Sequence, residues 1–407
     1  MARRLIYTFG IILFIIILAG SIIAYGRGYR FDLRQKSLTT TGILSAISTP
    51  EGASIWIDGK LRSATNASLS IPPGWYQLQI GKEGYQPWEK KIRIQGEVVT
   101  RTDALLIPTN PSLKALTSSG ILKPVLSTNG TKVAYIVPDE EATFSSSLKS
   151  KKGIWALDLR YGPLGGKSEP KQIFTQSGKT DWASATLIFS PDEKQILIKF
   201  SKKQGKTETV SFAYLISPDS NSPPLDVTDT WTKTADEWKT TTDTKNEEAI
   251  ASLPPLVSGL LKNSASGIRF SPDETKILYL ATSSASLSLV ITPPIIGSNT
   301  TAEVRSVEPG KYYIYDTKED KNFYITDQKT IKEPSSLLWY TDSKHIVMIE
   351  KDTIYIIDYD GTNKRVVYSG PFENNIVYPW TSPGRLVILT NFNKPKNLHD
   401  LYEIDLR

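Results

Sequence analysis

A mainly β protein, with two β domains behind a single N-terminal helix, is the fold class this sequence predicts, and three observations predict it. The first 36 residues join an uncharged apolar run to basic flanks. Residues 43–107 alternate apolar and polar residues between closely spaced turns. From residue 112 to the end, one turn-and-strand unit recurs about five times, the mark of stacked β repeats. A chain of 407 residues is long enough to give each β domain its own core.

The N-terminal element comes first. From Leu5 to Tyr25 the chain reads LIYTFGIILFIIILAGSIIAY without a charge. About 20 helical residues, at 1.5 Å each, match the roughly 30 Å hydrocarbon layer of a membrane. Tyr7, Tyr25, Tyr29 and Phe31 suit its two interfaces. A cleaved signal peptide is the competing reading, with Ala19-Gly20-Ser21 as its small-residue site. The apolar run passes that site through Ile22 and Ile23 and is longer than an ordinary signal core. Residues 1–36 are therefore expected to be an uncleaved, single-pass transmembrane anchor with its flanks. Arg3 and Arg4 favour an internal N-terminus, whereas Arg27, Arg30, Arg34 and Lys36 oppose it, so the positive-inside rule leaves orientation open.

The formal charge of +6 is concentrated in that segment. Six basic residues against Asp32 give residues 1–36 a net of +5, which leaves +1 for everything after. A nucleic-acid-binding domain needs a concentrated basic face, so no nucleic-acid partner is expected. The chain has no cysteine, which excludes disulfides, thiolate metal sites and cysteine nucleophiles. His345 and His399 are the only histidines, which leaves little for imidazole chemistry.

Residues 43–107 read as a small β-sandwich. Ala53-Ser-Ile-Trp-Ile-Asp58 alternates with period two and stops at Asp58-Gly59, a strong hairpin signal. Pro72-Pro73-Gly74 turns the chain into Trp75–Ile80, Glu83-Gly84 breaks that strand, Trp88–Ile94 resumes the alternation, and Val98–Leu106 is a last strand. Gly52, Gly59, Gly74 and Gly84 are expected to supply positive φ at turns. Tyr76, Tyr85 and Trp88 are expected in the core, with a sugar-stacking platform as the other reading. Ser48-Thr-Pro-Glu-Gly-Ala53, Ile57-Asp-Gly-Lys60, Pro73-Gly-Trp-Tyr76 and Lys82-Glu-Gly-Tyr85 resemble, in order and spacing, the motifs of the PEGA domain. Ser63-Ala-Thr-Asn66 departs from the family's Gly-x-Thr-Pro turn. The resemblance implies an extracytoplasmic or surface location and no catalytic activity.

The repeats occupy residues 112–407. Phe189-Ser-Pro-Asp-Glu-Lys-Gln-Ile-Leu-Ile198 and Phe270-Ser-Pro-Asp-Glu-Thr-Lys-Ile-Leu-Tyr279 are close copies; Leu126–Tyr135, Trp339–Met348 and Trp380–Ile388 are looser ones. Most are followed by a strand ending in aspartate, at Asp158, Asp316, Asp358 and Asp405. Serine, proline and aspartate set a tight turn before an apolar strand, so Asp192, Asp273 and Asp342 read as turn residues. Small sheets of this kind bury their faces by stacking, as a propeller or a solenoid. The units resemble blades of TolB-like and WD40-like β-propellers, which implies a propeller of about five blades. The ending Leu116-Thr117 resembles the outermost strand of such blades, and residues 112–117 are expected to pair with Leu401–Leu406 and join the two ends of the propeller. An insertion at about 229–263 reads as two helices. Thr234-Ala-Asp-Glu237 is a capping box and Ser252 a second cap, with Leu253, Leu256, Val257, Leu260 and Leu261 on one face. The pair is expected to pack on the propeller; a partner-docking lid is the alternative.

No phosphate loop, nucleophile elbow or zinc-protease helix is present. Ser146-Ser-Leu-Lys149 fits a Ser-x-x-Lys spacing, and Asp358-Tyr-Asp360-Gly361 hints at calcium. The first lies in a Ser/Lys-rich loop and the second lacks further ligands. No catalytic, cofactor-binding or metal-ligating residue is nominated, no cofactor is expected, and no binding residue is singled out. The expectation is a single-pass cell-membrane protein with extracytoplasmic domains, acting as a non-catalytic envelope binding or scaffolding protein. Its expected partners are membrane lipid through Leu5–Tyr25, a protein or peptide on the propeller, and envelope glycan. The alternative is a propeller-type glycosidase or lyase using channel carboxylates.

Overall fold

The computed structural model describes residues 2–26, 29–32, 37–138, 152–160, 169–176, 181–204, 207–220, 222–373, 375–392 and 399–407. A helix, α1 (Ala2–Gly26), opens the chain and leads into a two-stranded hairpin, β1 (Tyr29–Asp32) and β2 (Ser37–Thr40). Side chains from Tyr7 to Ile23 are all exposed, including Phe14, Ile16 and Ile22. Among the described residues, no helix is long and apolar enough to cross a membrane. The expected span Leu5–Tyr25 is thus helical, within Ala2–Gly26, but a membrane crossing by it is not shown.

Two sheets face each other in the small domain. One has the order β6 (Ala67–Ile71), β3 (Gly42–Thr49), β9 (Val99–Leu105); the other has β5 (Lys60–Ala64), β4 (Ser54–Ile57), β7 (Gly74–Gly81), β8 (Trp88–Ile94). Period-two alternation turns Leu44, Ile55, Leu78, Ile80, Trp88, Ile92 and Leu106 into one core, with Tyr76 and Tyr85 packed against it. The expected core aromatics are therefore in place. Gly52, Gly59 and Gly84 have positive φ, but Gly74 does not: it lies inside β7, where an added Cβ would stand 3.3 Å from the Tyr76 ring. The β3–β9 pair is parallel, a long-range pairing that local alternation does not encode.

Among the described residues, five four-stranded antiparallel sheets follow in the rest of the chain. One strand, β10 (Ser112–Ala115), precedes them in the chain. Blade I is β11 (Leu122–Leu126), β12 (Lys132–Val137), β13 (Gly153–Asp158) and β14 (Lys171–Phe174). Blade II is β15 (Ala185–Phe189), β16 (Ile196–Gln204), β17 (Thr207–Ile216) and β18 (Leu225–Asp226). Two helices come next, α2 (Trp231–Ala251) and α3 (Pro255–Ser264). Blade III is β19 (Ala265–Phe270), β20 (Lys276–Ala281), β23 (Lys311–Asp316) and β24 (Lys321–Asp327), interrupted by a short pair, β21 (Ala285–Ser286) and β22 (Ser306–Val307). Blade IV is β25 (Leu337–Trp339), β26 (His345–Glu350), β27 (Thr353–Asp358) and β28 (Arg365–Ser369). Blade V combines β29 (Val377–Pro379), β30 (Arg385–Thr390) and β31 (Asp400–Asp405) with β10, in register Ser112↔Asp405 to Ala115↔Tyr402. The expected clasp is present: without β10, β31 would be an open edge.

The turn of the repeat behaves as its composition requires. In blade III, Asp273 accepts from Ser271 Oγ at 2.7 Å, Thr275 N at 3.1 Å and Thr275 Oγ1 at 2.8 Å. Asp192 accepts from Ser190 Oγ at 2.7 Å, and Asp342 from Lys344 N at 2.9 Å. The polar residue opening the next strand then lies opposite the closing aspartate of its neighbour: Lys132↔Asp158, Lys276↔Asp316, His345↔Asp358 and Arg385↔Asp405.

Apolar clusters join blade I to II, I to V, V to IV and IV to III. Hydrogen bonds between the blades' first strands follow the same order. Lys123 donates to Ala185 O at 3.0 Å, Tyr378 OH to Pro124 O at 2.8 Å, and Trp339 Nε1 to Arg269 O at 3.0 Å. Among the described residues no apolar cluster joins blades II and III directly. Trp231, Ala235 and Trp238 of α2 pack on blade II, and Val257, Leu260 and Leu261 of α3 on blade III. The helical pair thus links blade II to blade III. Its ends differ from expectation. The first helix starts at Trp231 rather than Thr234, which lies inside it; the second starts at Pro255, with Ser252 Oγ bonded back to Ala249 O at 2.8 Å.

Candidate functional site

The two β domains meet along the open side of the sandwich, where β8 and β9 are outer strands. In β8, Glu89, Lys91 and Arg93 are exposed and Trp88, Ile92 and Ile94 are buried. Lys90 occupies an inward position in that alternation, where a charge needs a partner. Its ammonium is paired with Asp360, whose side chain is fully buried. Asp360 also accepts from Asn299 Nδ2 at 2.7 Å, Thr301 Oγ1 at 2.6 Å and Thr362 Oγ1 at 2.6 Å. Burial alone would raise this carboxyl; Lys90 and the hydroxyl donors outweigh it and hold it well below the usual range.

The neighbouring turn carries a second junction. Trp88 Nε1 donates to Asp358 Oδ2 at 3.0 Å, and Glu89 N to Asn363 Oδ1 at 3.0 Å. Gly361 lets the turn close: its φ is +81°, and an added Cβ would lie 2.6 Å from Tyr324 O. Arg365 donates to Pro87 O at 2.6 Å, Gly297 N to Gln95 Oε1 at 2.9 Å, and Lys344 reaches Asp103 at 2.8 Å. The interface thus draws on blade IV and on the loop inserted in blade III.

A cleft of about 450 Å³ lies between these contacts, walled by β8 and β9 on one side and by blades III and IV with residues 297–300 on the other. Its charges are mostly committed. Lys276 stands 3.6 Å from Asp316, which also accepts from Lys318 N and Glu319 N. His345 sits between Asp342, at 2.6 Å, and Asp358, at 3.2 Å. Burial by itself would lower the imidazole, but the two carboxylates raise it to about 10. Glu319 is the exception: burial pushes its carboxyl up, Asp316 adds to the rise, and Asn299 N donates to it at 2.9 Å.

Residues 41–110 match the family model described as the PEGA domain. Residues 41–110 form a PEGA domain. No curated protein matches the chain. Similar solved structures include the putative TolB from Agrobacterium tumefaciens, with 13% identity, 74% of this chain and 79% of that one covered, and a TM-score of 0.23. TolB from Acinetobacter baumannii shares 14% identity over 81% of this chain and 59% of its own, with a TM-score of 0.20. An oligogalacturonate lyase from Vibrio parahaemolyticus shares 8% identity over 91% and 90%, with a TM-score of 0.21. At such scores these likenesses carry no argument, and the propeller-like fold rests on the chain's own four-stranded sheets and repeated turns.

The turn aspartates Asp192, Asp273 and Asp342 serve their turns as expected, and Asp342 additionally holds His345. Asp358 and Asp360, weighed as calcium ligands, spend their oxygens on the PEGA domain and their own turn. Among the described residues, no group of three or more metal-ligating side chains occurs. His399 lies apart from the cleft, 3.2 Å from Glu373 in blade V. Ser146–Lys149 lies outside the described residues. The roles of Trp88 and Lys90 in docking the PEGA domain escape a reading of local pattern. The one sequence signal for them is Lys90 itself, a charge on the apolar side of an alternating strand.

Proposed function

We propose that this chain is a membrane-anchored, non-catalytic binding and scaffolding protein of the bacterial cell envelope, with its PEGA domain and propeller docked as one extracytoplasmic unit. The observation that carries the reading is the use made of the cleft's carboxylates. Asp103, Asp316 and Asp358 each already hold a lysine, a histidine or an indole. A site that handles protons keeps an acid and a base free for substrate. The anchoring part is supported by α1, whose apolar side chains from Tyr7 to Ile23 are exposed all round; a helix of that kind is stable in lipid rather than water. Envelope glycan and a protein or peptide are the partner classes that suit the site.

One observation favours the second reading, a glycan-active enzyme. A carboxyl raised by burial beside another acid, as Glu319 is beside Asp316, is what acid–base chemistry uses. The test is direct. Purified full-length protein, incubated with oligouronides and peptidoglycan fragments, should release no product, and Glu319→Gln should change neither that result nor the melting temperature by much. Turnover abolished by Glu319→Gln would establish the enzyme reading. Protease added to spheroplasts should digest the region after about residue 40; protection until lysis would refute the extracytoplasmic placement.

A further inference from the structure

The cleft contains an open strand edge. Among the described residues, β9 pairs with β3 alone. Ile43 N donates to Val98 O, and Leu106 N donates to Thr49 O. Backbone direction alternates along a strand, so even-numbered residues of β9 turn their N–H and C=O toward β3. Val99, Arg101 and Asp103 turn theirs away. Five consecutive residues, Val99 to Asp103, line the cleft, and a strand that lines a cavity without skipping residues presents its edge rather than a face. The opposite edge is closed. Lys91 O accepts from Thr300 Oγ1 at 3.3 Å, Arg93 O from Thr100 Oγ1 at 3.4 Å, and Glu89 N is held by Asn363.

Two further observations point to an occupant. Thr102 lines the cleft, is 6% exposed, and its buried hydroxyl has no hydrogen-bond partner among the described residues; buried hydroxyls ordinarily have one. Some cations along the rim also lack a carboxylate of their own. Arg101 and Lys344 share the single carboxylate of Asp103. Lys318 lines the cleft, is exposed, and makes no ion pair among the described residues. A volume of about 450 Å³ admits one extended segment and excludes the sheet of a second copy, which would bring another layer with it.

We infer that this cleft binds a short extended peptide segment, added as a strand to the Val99–Asp103 edge of the PEGA domain, with an acidic side chain directed at Lys318 and Arg101. The backbone of β9 supplies the affinity by strand addition, and the lysine rim supplies the preference for acid. The site deepens the binding reading proposed above and rests on it.

The experiment uses the full chain in detergent micelles and a fluorescent, end-blocked hexapeptide alternating valine and glutamate, followed by anisotropy. Saturable binding is expected. Two comparison peptides isolate the terms: one N-methylated at alternate residues, which removes backbone donors and keeps every side chain, and one with lysine for glutamate. Each should bind at least about tenfold more weakly. On the protein side, Arg101→Pro removes an outward N–H without touching the β3 ladder, and Lys318→Glu reverses the rim charge; each should weaken binding by a similar factor. Should Arg101→Pro fail to fold, the N-methylated peptide decides alone. Absence of saturable binding up to about 1 mM, or equal binding of the N-methylated peptide, overturns the inference. Either result leaves the anchored scaffold standing, since fractionation and turnover test that separately.

Discussion

Replacing Leu401 with alanine probes the closure of the propeller at one side chain. Leu401 is fully buried in the cluster that joins blades I and V. Its carbonyl accepts from Leu116 N at 2.8 Å, and its own N–H donates to Thr117 Oγ1 at 2.9 Å. The residue therefore ties the last strand of the chain to the first strand of the propeller. Truncating a buried leucine costs about 2–5 kcal/mol, the higher values where the site cannot collapse. Stitching on both sides here restricts collapse, so about 3–4 kcal/mol is expected. For a domain of a few hundred residues that lowers the melting temperature by roughly 6–12 °C. Leu113→Ala, on the same clasp but 40% exposed, should cost less than about 1 kcal/mol. Calorimetry of the full chain in detergent reads both. The whole propeller transition should move with Leu401→Ala, as it should on deletion of residues 401–407. If Leu401→Ala melted like the native chain, or lost only a small separate transition at the C-terminus, the clasp would not be what holds the ring.

Three other outcomes follow from the same contacts. Lys90→Met leaves the buried Asp360 carboxylate without its cation, so about 3 kcal/mol or more should be lost, with the PEGA domain and propeller melting separately. His345 has its folded pKa raised to about 10 above an ordinary value near 6.5. Its contribution is therefore complete below about pH 6.5 and lost as pH rises toward the folded value; urea titrations should show the native chain weakening from pH 7 to 9.5 relative to His345→Asn, and parallel curves would contradict this. Deletion of residues 1–36 should move the protein from the membrane pellet to the soluble fraction as a monodisperse species, and continued pelleting would rule out a single anchor.

Much of the fold is legible in the chain because its determinants are local. Ser-Pro-Asp turns write their own hydrogen bonds within five residues, which is why Asp192 and Asp273 could be assigned from sequence. The ending Leu116-Thr117, through its resemblance to the outermost strand of a blade, foretells the clasp. What was not legible is what depends on distant chain segments. Nothing near Val99 says that its strand runs parallel to Gly42–Thr49, and nothing near Trp88 names Asp358, 270 residues away. Helix ends failed for a related reason: the aromatic contacts of Trp231 and Trp238 with blade II extend α2 past the capping box at Thr234. Gly74 was read by residue type alone, whereas it opens β7, in register with Ile94, and takes a strand conformation.

The central claim, that the PEGA domain and the propeller are locked together around the cleft, has a direct covalent test. The β-carbon of Val98 lies 3.9 Å from where a β-carbon on Gly297 would stand, within the roughly 3.5–4.5 Å that a disulfide spans. The chain has no cysteine of its own to interfere. A Val98→Cys, Gly297→Cys double variant, mildly oxidised at low concentration and read by thiol titration and intact mass, should form one intramolecular disulfide despite the strain of φ +79° at residue 297. Each single variant should keep its thiol. A double variant that folds, yet retains two free thiols, would contradict the docked arrangement on which the cleft depends.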